Sequence, residues 1–491
     1  MKNTDALLTR FIVRKVARSL TGKIEDMEKL LTLATSEKFE LNLAAQWFMK
    51  SLSRSMTEGG LLSSVFLRVG KELSGAYKRK LVRNLIINQF VTGSKTRSLH
   101  QNEREWIPNF IVVSPTMKCN LACTGCYSGL YRKNDELTTE ELDDLFGQCR
   151  SLGIYFIVIS GGEPFVKKEE LFGLFKKYGD MFFLVYTNGT MIDRSFARGL
   201  ARLGNVAPAI SVEGWEKETD QRRGPGVWNR VMAAMDNLRE AGVLFGISVT
   251  MTRHNADIIT EDRFVEYFMT KGAIFGWYFM FMPVGKDPIL DLVPTPEQRV
   301  TNGRRVEALR STYPMFLADF WNDGPAVGGC MAGGRQYLHI LNNGQVEPCV
   351  FAHFSCDNIR EKPLLECVNS PFFKGIRGNF PYNETGNLKR PCMIIDNPEV
   401  LRSLVEKHVV PSGHTHSEDI VSSPDVREFI NRYAERMEEL TEPAWREMIE
   451  DSECRWHLRG DDYRSLFEFT SPDSVWKREA AGVSGSRARS R

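Results

Sequence analysis

The stretch Lys118-Cys119-Asn120-Leu121-Ala122-Cys123-Thr124-Gly125-Cys126-Tyr127 decides how the rest of the chain is read. It sets three cysteines at C-x3-C-x2-C spacing, directly behind the apolar run Phe110 to Val113. Cysteine thiolates are the usual protein ligands of iron–sulfur clusters. Three of them so close together can bind three irons of a cubane and leave the fourth iron open to a small molecule. Two plainer readings compete: a structural zinc site, or three buried thiols with no ligand. Zinc sites favour C-x2-C pairs with matching ligands elsewhere, a pattern this loop does not follow.

Outward from the loop, short β-rich runs alternate with helical segments. Strands are expected at 110–113, 154–159, 181–186, 206–212, 243–251 and 274–282. Helices are expected at 138–152, 168–178, 193–203, 227–241, 262–271 and 296–310. Alternation of this kind implies parallel βαβ units. Six units fall short of the eight that close a TIM barrel, and alternation alone also permits an open doubly wound sheet. The fold class is therefore α/β. Before the barrel, residues 1–105 read as a helical accessory domain. Leu7, Leu8, Phe11, Ile12 and Val16 recur there at helical spacing, with basic residues between them. Residues 106–312 form the core and 313–400 a cysteine-bearing region. Residues 401–475 read as a charged helical segment, and 476–491 as a Gly/Ser/Arg-rich disordered tail.

The composition is that of a soluble globular protein, with 42% hydrophobic and 26% charged residues among 491. A formal net charge of +2 argues against bulk nucleic-acid binding. The basic excess lies at the two ends. It suits either a solvated helical face or peripheral contact with an anionic surface such as a lipid headgroup layer. No apolar run approaches the length of a membrane span, and the N-terminus lacks the apolar core of a secretory signal. The expected compartment is the cytoplasm, where ten cysteines read as metal ligands or free thiols before disulfides.

In parallel α/β architectures ligands sit at the carboxyl ends of the strands. The second strand ends in Ser160-Gly161-Gly162-Glu163-Pro164, where glycines let backbone approach a ligand and a carboxylate can pair with an ammonium. The third ends in Thr187-Asn188-Gly189-Thr190. The fourth ends in Ser211-Val212-Glu213-Gly214 and is followed by Arg223-Gly224, and the sixth ends in Phe281-Met282-Pro283-Val284-Gly285.

From these residues the chain resembles the radical S-adenosylmethionine (radical SAM) superfamily over roughly residues 108–395. The resemblance implies a partial (β/α)6 TIM-like barrel and a [4Fe-4S] cluster on Cys119, Cys123 and Cys126. It also implies S-adenosylmethionine held by Gly161, Gly162 and Glu163 at its amino group. Asn188 lies beside that cofactor, Ser211 and Arg223 meet its carboxylate region, and Glu213 its ribose. Glu213 stands where relatives usually carry aspartate. Many relatives also carry an aromatic residue just before the third cysteine, near adenine. Here that position is Gly125, which leaves Tyr127 as the adenine-side aromatic.

The spacing Cys330-x13-Gly344-x4-Cys349 resembles the opening of a SPASM/twitch auxiliary-cluster domain. The dense cysteine run that completes such domains is missing, so at most one auxiliary cluster is expected. Cys330, Cys349 and Cys392 are its preferred ligands and Cys356 the candidate fourth. Cys149, Cys367 and Cys454 read as structural thiols, and His414-x-His416 as a solvated turn without a role. The resemblance implies that a one-electron donor of flavodoxin or ferredoxin type reduces the cluster. S-adenosylmethionine then breaks to a 5′-deoxyadenosyl radical, which removes a substrate hydrogen. A peptide or protein side chain is the leading substrate class, and a small metabolite or lipid the second. A non-catalytic iron–sulfur or zinc interaction protein is the reading from a different class.

Overall fold

Ten strands join in one sheet, in the order β10-β9-β8-β1-β2-β3-β4-β5-β6-β7. The computed structural model describes residues 61–102, 105–285, 289–414 and 416–450. Seven consecutive strands build the barrel: β1 (Phe110–Val113), β2 (Phe156–Ile159), β3 (Phe182–Thr187), β4 (Val206–Val212), β5 (Gly246–Met251), β6 (Phe275–Met280) and β7 (Phe316–Asp319). All neighbours within this run are parallel. Their side chains are mostly buried, as expected of strands covered on both faces.

The six strands read from the sequence are present, and the partial barrel extends beyond them. β7 adds a parallel strand after β6, while β8 (His339–Ile340) pairs parallel with β1 on the other side. β9 (Gln345–Glu347) and β10 (Asp357–Asn358) then run antiparallel. β7 and β10 are the two edges, so the sheet is not closed.

The helices start and stop on local chemistry. Thr138 with Glu141, and Thr295 with Gln298, form capping boxes at the helices Thr139–Ser151 and Pro296–Thr312. Gly204 and Gly242, both left-handed, end the helices Arg194–Leu203 and Val227–Ala241.

Ahead of the barrel lie the helices Leu61–Glu72, Gly75–Lys80, Leu81–Gly93 (wound in wide π turns) and Ser94–Asn102. Their polar side chains meet the entry ends of the strands. The Tyr77 hydroxyl donates to the Val206 carbonyl, and the Asn84 amide donates to that of Met181 at 2.7 Å. Gln89 accepts from Tyr155 N at 2.8 Å and donates to Asn109 O at 2.6 Å. Residues 61–102 thus cover the rim opposite the cysteine loop and share one hydrophobic core with the barrel. The amphipathic stretch near Leu7–Val16, Cys454 and the basic tail lie outside the described residues.

The helix Pro424–Glu450 packs against Pro296–Thr312, with an Arg436–Glu297 ion pair of 2.7 Å between them. Arg299 and Asp396 pair at 2.6 Å with neither side chain exposed, joining the barrel to the cysteine-bearing region. Among the described residues no helix is long and apolar enough to cross a membrane.

Candidate active site at the carboxyl rim of the barrel

The cysteine loop leaves β1 at the carboxyl rim and is held from several sides. Cys119 is exposed, Cys123 and Cys126 are half-buried, and all three thiols are free. Leu121 N–H points at Cys119 Sγ from 3.4 Å, and Ser128 Oγ lies 3.3 Å from Cys126 Sγ. The Asn188 amide donates to Asn120 Oδ1 at 2.8 Å and reaches Cys119 Sγ at 3.9 Å. Thr124 N–H is bound by the Arg222 carbonyl at 2.9 Å.

The glycines after β2 serve this loop directly. A Cβ on Gly162 would lie 2.3 Å from the Lys118 carbonyl oxygen, and one on Gly161 would lie 2.3 Å from that of Thr116. Gly162 N–H and Glu163 N–H donate to those same two carbonyls, Thr116 and Lys118, at 2.9 Å each. The sequence reading gave these glycines to an approaching ligand; the backbone that approaches them is the cysteine loop itself. Glu163 differs in a similar way. Its buried carboxylate accepts hydrogen bonds from Thr187 Oγ1 (2.7 Å), Asn188 N (2.7 Å) and Phe165 N (3.0 Å). Burial raises its pKa and these three bonds pull it back. This carboxylate, the one expected to meet an ammonium, ties β2 to the turn after β3.

Glu213 is buried at the end of β4. Its Oε1 accepts from Arg222 at 2.7 Å and from Arg223 Nε at 2.6 Å, while its Oε2 is buried without a partner. Both arginines come from the helix Glu216–Arg223, which the sequence reading missed between two strands. Burial raises the Cys123 thiol, and Arg223 and then Arg222 act against that shift. Arg223, assigned by resemblance to a cofactor carboxylate, thus forms with Arg222 a cationic pair beside the second cysteine.

Tyr127 turns inward, its hydroxyl 2.8 Å from Ser160 Oγ and its ring edge-on to Phe351 at 5.6 Å. Burial pushes its phenol up to about 12. Ser211 is half-buried in β4, in register with Ser248 of β5. Tyr186, Trp277 and Phe279 were not singled out in the sequence. They belong to strands whose period of two points them together to one face, with Tyr186 edge-on to Phe279 at 5.5 Å. Phe279, Trp321 and Phe351 continue this aromatic wall from the barrel to Tyr127.

In the second cysteine region, Cys330, Cys349 and Cys392 lie near enough that each acts on another's charge. Burial pushes each of these thiols up to about 12. Cys356 is not brought to them. It is exposed on the turn into β10, its thiol directed at Asp357 (3.5 Å), and the charges acting on it are those of Asp357 and Lys362. Cys149 and Cys367 are buried within helices, as expected of structural thiols. His414 corrects the reading of a solvated turn: its Nε2 lies 2.8 Å from His353 Nδ1, and its ring packs on Tyr131 at 4.4 Å. His416 is exposed beside Asp419.

Two family models match the chain. One is the radical SAM superfamily, over residues 113–262, and the other an iron–sulfur cluster-binding domain, over residues 330–393. The mycofactocin maturase MftC of Mycobacterium tuberculosis is 30% identical across 53% of this chain and 71% of its own length. The chain belongs to the radical SAM superfamily. The AdoMet-dependent heme synthase of Methanosarcina barkeri is 26% identical over 60% of this chain and 90% of its own. The PqqA peptide cyclase of Rhizobium meliloti is 28% identical over 55% and 76%. Among solved structures, Streptococcus suis SuiB bound to its precursor peptide SuiA shares the fold, with TM-score 0.51, 18% identity and coverage of 67% and 79%.

As a radical SAM enzyme the chain works with a [4Fe-4S] cluster, S-adenosylmethionine and an auxiliary iron–sulfur group. The first site fits its cluster. Three thiols share one rim loop, N–H and O–H groups reach two of the sulfurs, and guanidinium groups flank the third. When bound, the reduced cluster supplies the electron that splits S-adenosylmethionine and frees a 5′-deoxyadenosyl radical. The chain itself fixes the loop through Gly161, Gly162 and Asn188 and places positive charge beside Cys123. It also walls the rim with Tyr127, Phe279 and Phe351 against water.

Proposed function

We propose that this radical SAM enzyme modifies a residue of a peptide or protein substrate, at the carboxyl rim between the cysteine loop and Cys330, Cys349 and Cys392. One observation carries the reading: the aromatic wall running from Tyr127 through Phe351 and Trp321 ends at Phe320, 6.2 Å from Tyr337 beside Cys349. A substrate in that space faces both iron–sulfur sites, so an electron left on it after hydrogen removal has a near acceptor. Likeness to a peptide cyclase supports the peptide class. A small-molecule substrate is the second reading, favoured by the likeness to a heme synthase along most of that protein. In this reading Cys119, Cys123 and Cys126 ligate the first cluster, and Cys330, Cys349 and Cys392 the auxiliary one. Gly161, Gly162 and Glu163 hold the cofactor's amino group, the glycines through their backbone. Asn188 and Ser211 border that cofactor, and Glu213 with Arg223 meets its polar end. A flavodoxin- or ferredoxin-type protein is the electron donor, the setting is cytoplasmic, and membrane contact, where it occurs, is peripheral.

The test is anaerobic reconstitution with iron and sulfide, followed by reduction in the presence of S-adenosylmethionine. The native chain should release 5′-deoxyadenosine, and Cys126→Ala should release none. Mass spectrometry of a peptide fraction from the source cell, before and after turnover, should then show a changed peptide. A change confined to the small-molecule fraction would favour the second reading.

A further inference from the structure

The auxiliary pocket gathers three thiols, and among the described residues no other cysteine reaches it. Two tyrosines do. Tyr337 is 2% exposed, its hydroxyl 3.2 Å from Cys349 Sγ. Its ring is fixed by stacking on Phe110, at 5.2 Å and 15° between planes. Tyr382 is 6% exposed, and its hydroxyl is buried with no hydrogen-bond partner. A Cβ on Gly333 would lie 3.5 Å from that hydroxyl, and Gly333 N–H donates to the Pro348 carbonyl (2.8 Å), one residue before Cys349. The Tyr382 ring stands edge-on to Phe380 at 5.4 Å, and the Arg335 guanidinium lies 3.4 Å from the centre of the Phe380 ring. Arg335 in turn donates to the Cys330 carbonyl. The orphan hydroxyl therefore lies beside Gly333, whose N–H is bound one residue before Cys349, and its ring lies beside the Phe380–Arg335 contact that leads to the Cys330 carbonyl. Burial raises its phenol above the ordinary range, and Cys330 and Cys392 are among the groups acting on it.

A buried hydroxyl left unsatisfied costs about 1–3 kcal/mol, so one kept at a thiol cluster calls for a partner. Iron–sulfur groups offer sulfur acceptors, and hydrogen bonds to those sulfurs are one of the terms that set the reduction potential. We propose that the Tyr382 hydroxyl donates a hydrogen bond to a sulfur of the auxiliary iron–sulfur group and, with Tyr337 at Cys349, sets its reduction potential. This rests on the reading of Cys330, Cys349 and Cys392 as the ligands of that group. Tyr382 is a positioning residue here: it touches sulfur and leaves the iron to the cysteines. An O–H dipole aimed at sulfur stabilises the more negative, reduced state, so its removal lowers the potential.

The experiment uses the full-length chain carrying Cys126→Ala, which silences the first site, reconstituted without oxygen and titrated electrochemically under paramagnetic resonance. Tyr382→Phe should keep the iron and sulfide content and the far-ultraviolet dichroism. Its midpoint should move to more negative potential by about a tenfold change in the oxidised-to-reduced ratio, ~59 mV for one electron. An unmoved midpoint overturns the proposal, as does loss of iron from a folded Tyr382→Phe protein, which would make the phenol a ligand. A second measurement counts exchangeable deuterons coupled to the reduced centre after exchange into heavy water. Tyr337→Phe should show one more than the Tyr337→Phe/Tyr382→Phe double variant, backbone N–H groups such as Ile394, 3.4 Å from Cys392 Sγ, being common to both, and equal couplings overturn the proposal. If the Cys126→Ala parent binds no auxiliary iron, the ligand reading fails first, an outcome distinct from an auxiliary centre that ignores Tyr382.

Discussion

Gly125 carries a φ of +63°, and a Cβ there would lie 2.5 Å from the Phe281 ring. The aromatic group that the sequence lacks beside the third cysteine is thus supplied in space by Phe281, from the end of β6. Gly125→Ala must both strain the left-handed backbone and push that ring, costs of about 1–2 and 1–3 kcal/mol. In urea unfolding it should destabilise the chain by a few kcal/mol and lower iron loading of the loop. Adding Phe281→Ala should recover part of the loss, with a coupling of roughly 1 kcal/mol or more. Strict additivity would mean that the two residues do not meet. Glu163 teaches the same lesson at a charged position: its motif is plain in the sequence, but its three hydrogen-bond partners lie on other segments.

β7 was not anticipated because Phe316-Leu317-Ala318-Asp319 is short and shows no alternation. Only pairing with β6 makes it a strand. It ends on Asp319, whose carboxylate is 2% exposed and accepts from Asn322 Nδ2 at 2.7 Å. Burial pushes this carboxyl from the usual 3.8 to about 6. Well below the ordinary value of 3.8 it is protonated whether the chain is folded or not, and the folded state pays no penalty. As the pH rises through 6, the fold must ionise a buried group and loses roughly 3 kcal/mol of this contribution. Asp319→Asn should therefore show a flatter stability profile between pH 4 and 6.5 in urea titrations, whatever its absolute stability. Equal slopes for the two proteins would contradict the assignment. The helix Glu216–Arg223 was missed for a different reason. It is almost wholly polar and carries no apolar stripe, so periodicity could not reveal it, although the doublet Arg222-Arg223 was visible as charge.

At the scale of the molecule, barrel and auxiliary region are joined by Arg299 and Asp396, neither exposed. Asp396 also accepts the Cys392 N–H at 3.0 Å, so the ion pair braces a thiol of the second site. Arg299→Met would leave that carboxylate buried and unpaired, which costs about 3–5 kcal/mol. The expected result is a large fall in thermal stability together with loss of auxiliary iron, partly restored by Asp396→Asn. A variant that keeps both its melting temperature and its iron would show the pair to be dispensable. By itself the sequence determined the order of the six strands and six helices read from it, because apolar periodicity and caps act over a few residues. It also determined the three-thiol loop, whose spacing is covalent. The tertiary structure alone decided that Cys356 stands apart, that Arg222 joins Arg223 beside Cys123, and that Tyr337 and Tyr382 enter the auxiliary pocket. These neighbours are brought together by sheet register and chain crossings over long separations, where local pattern carries no information.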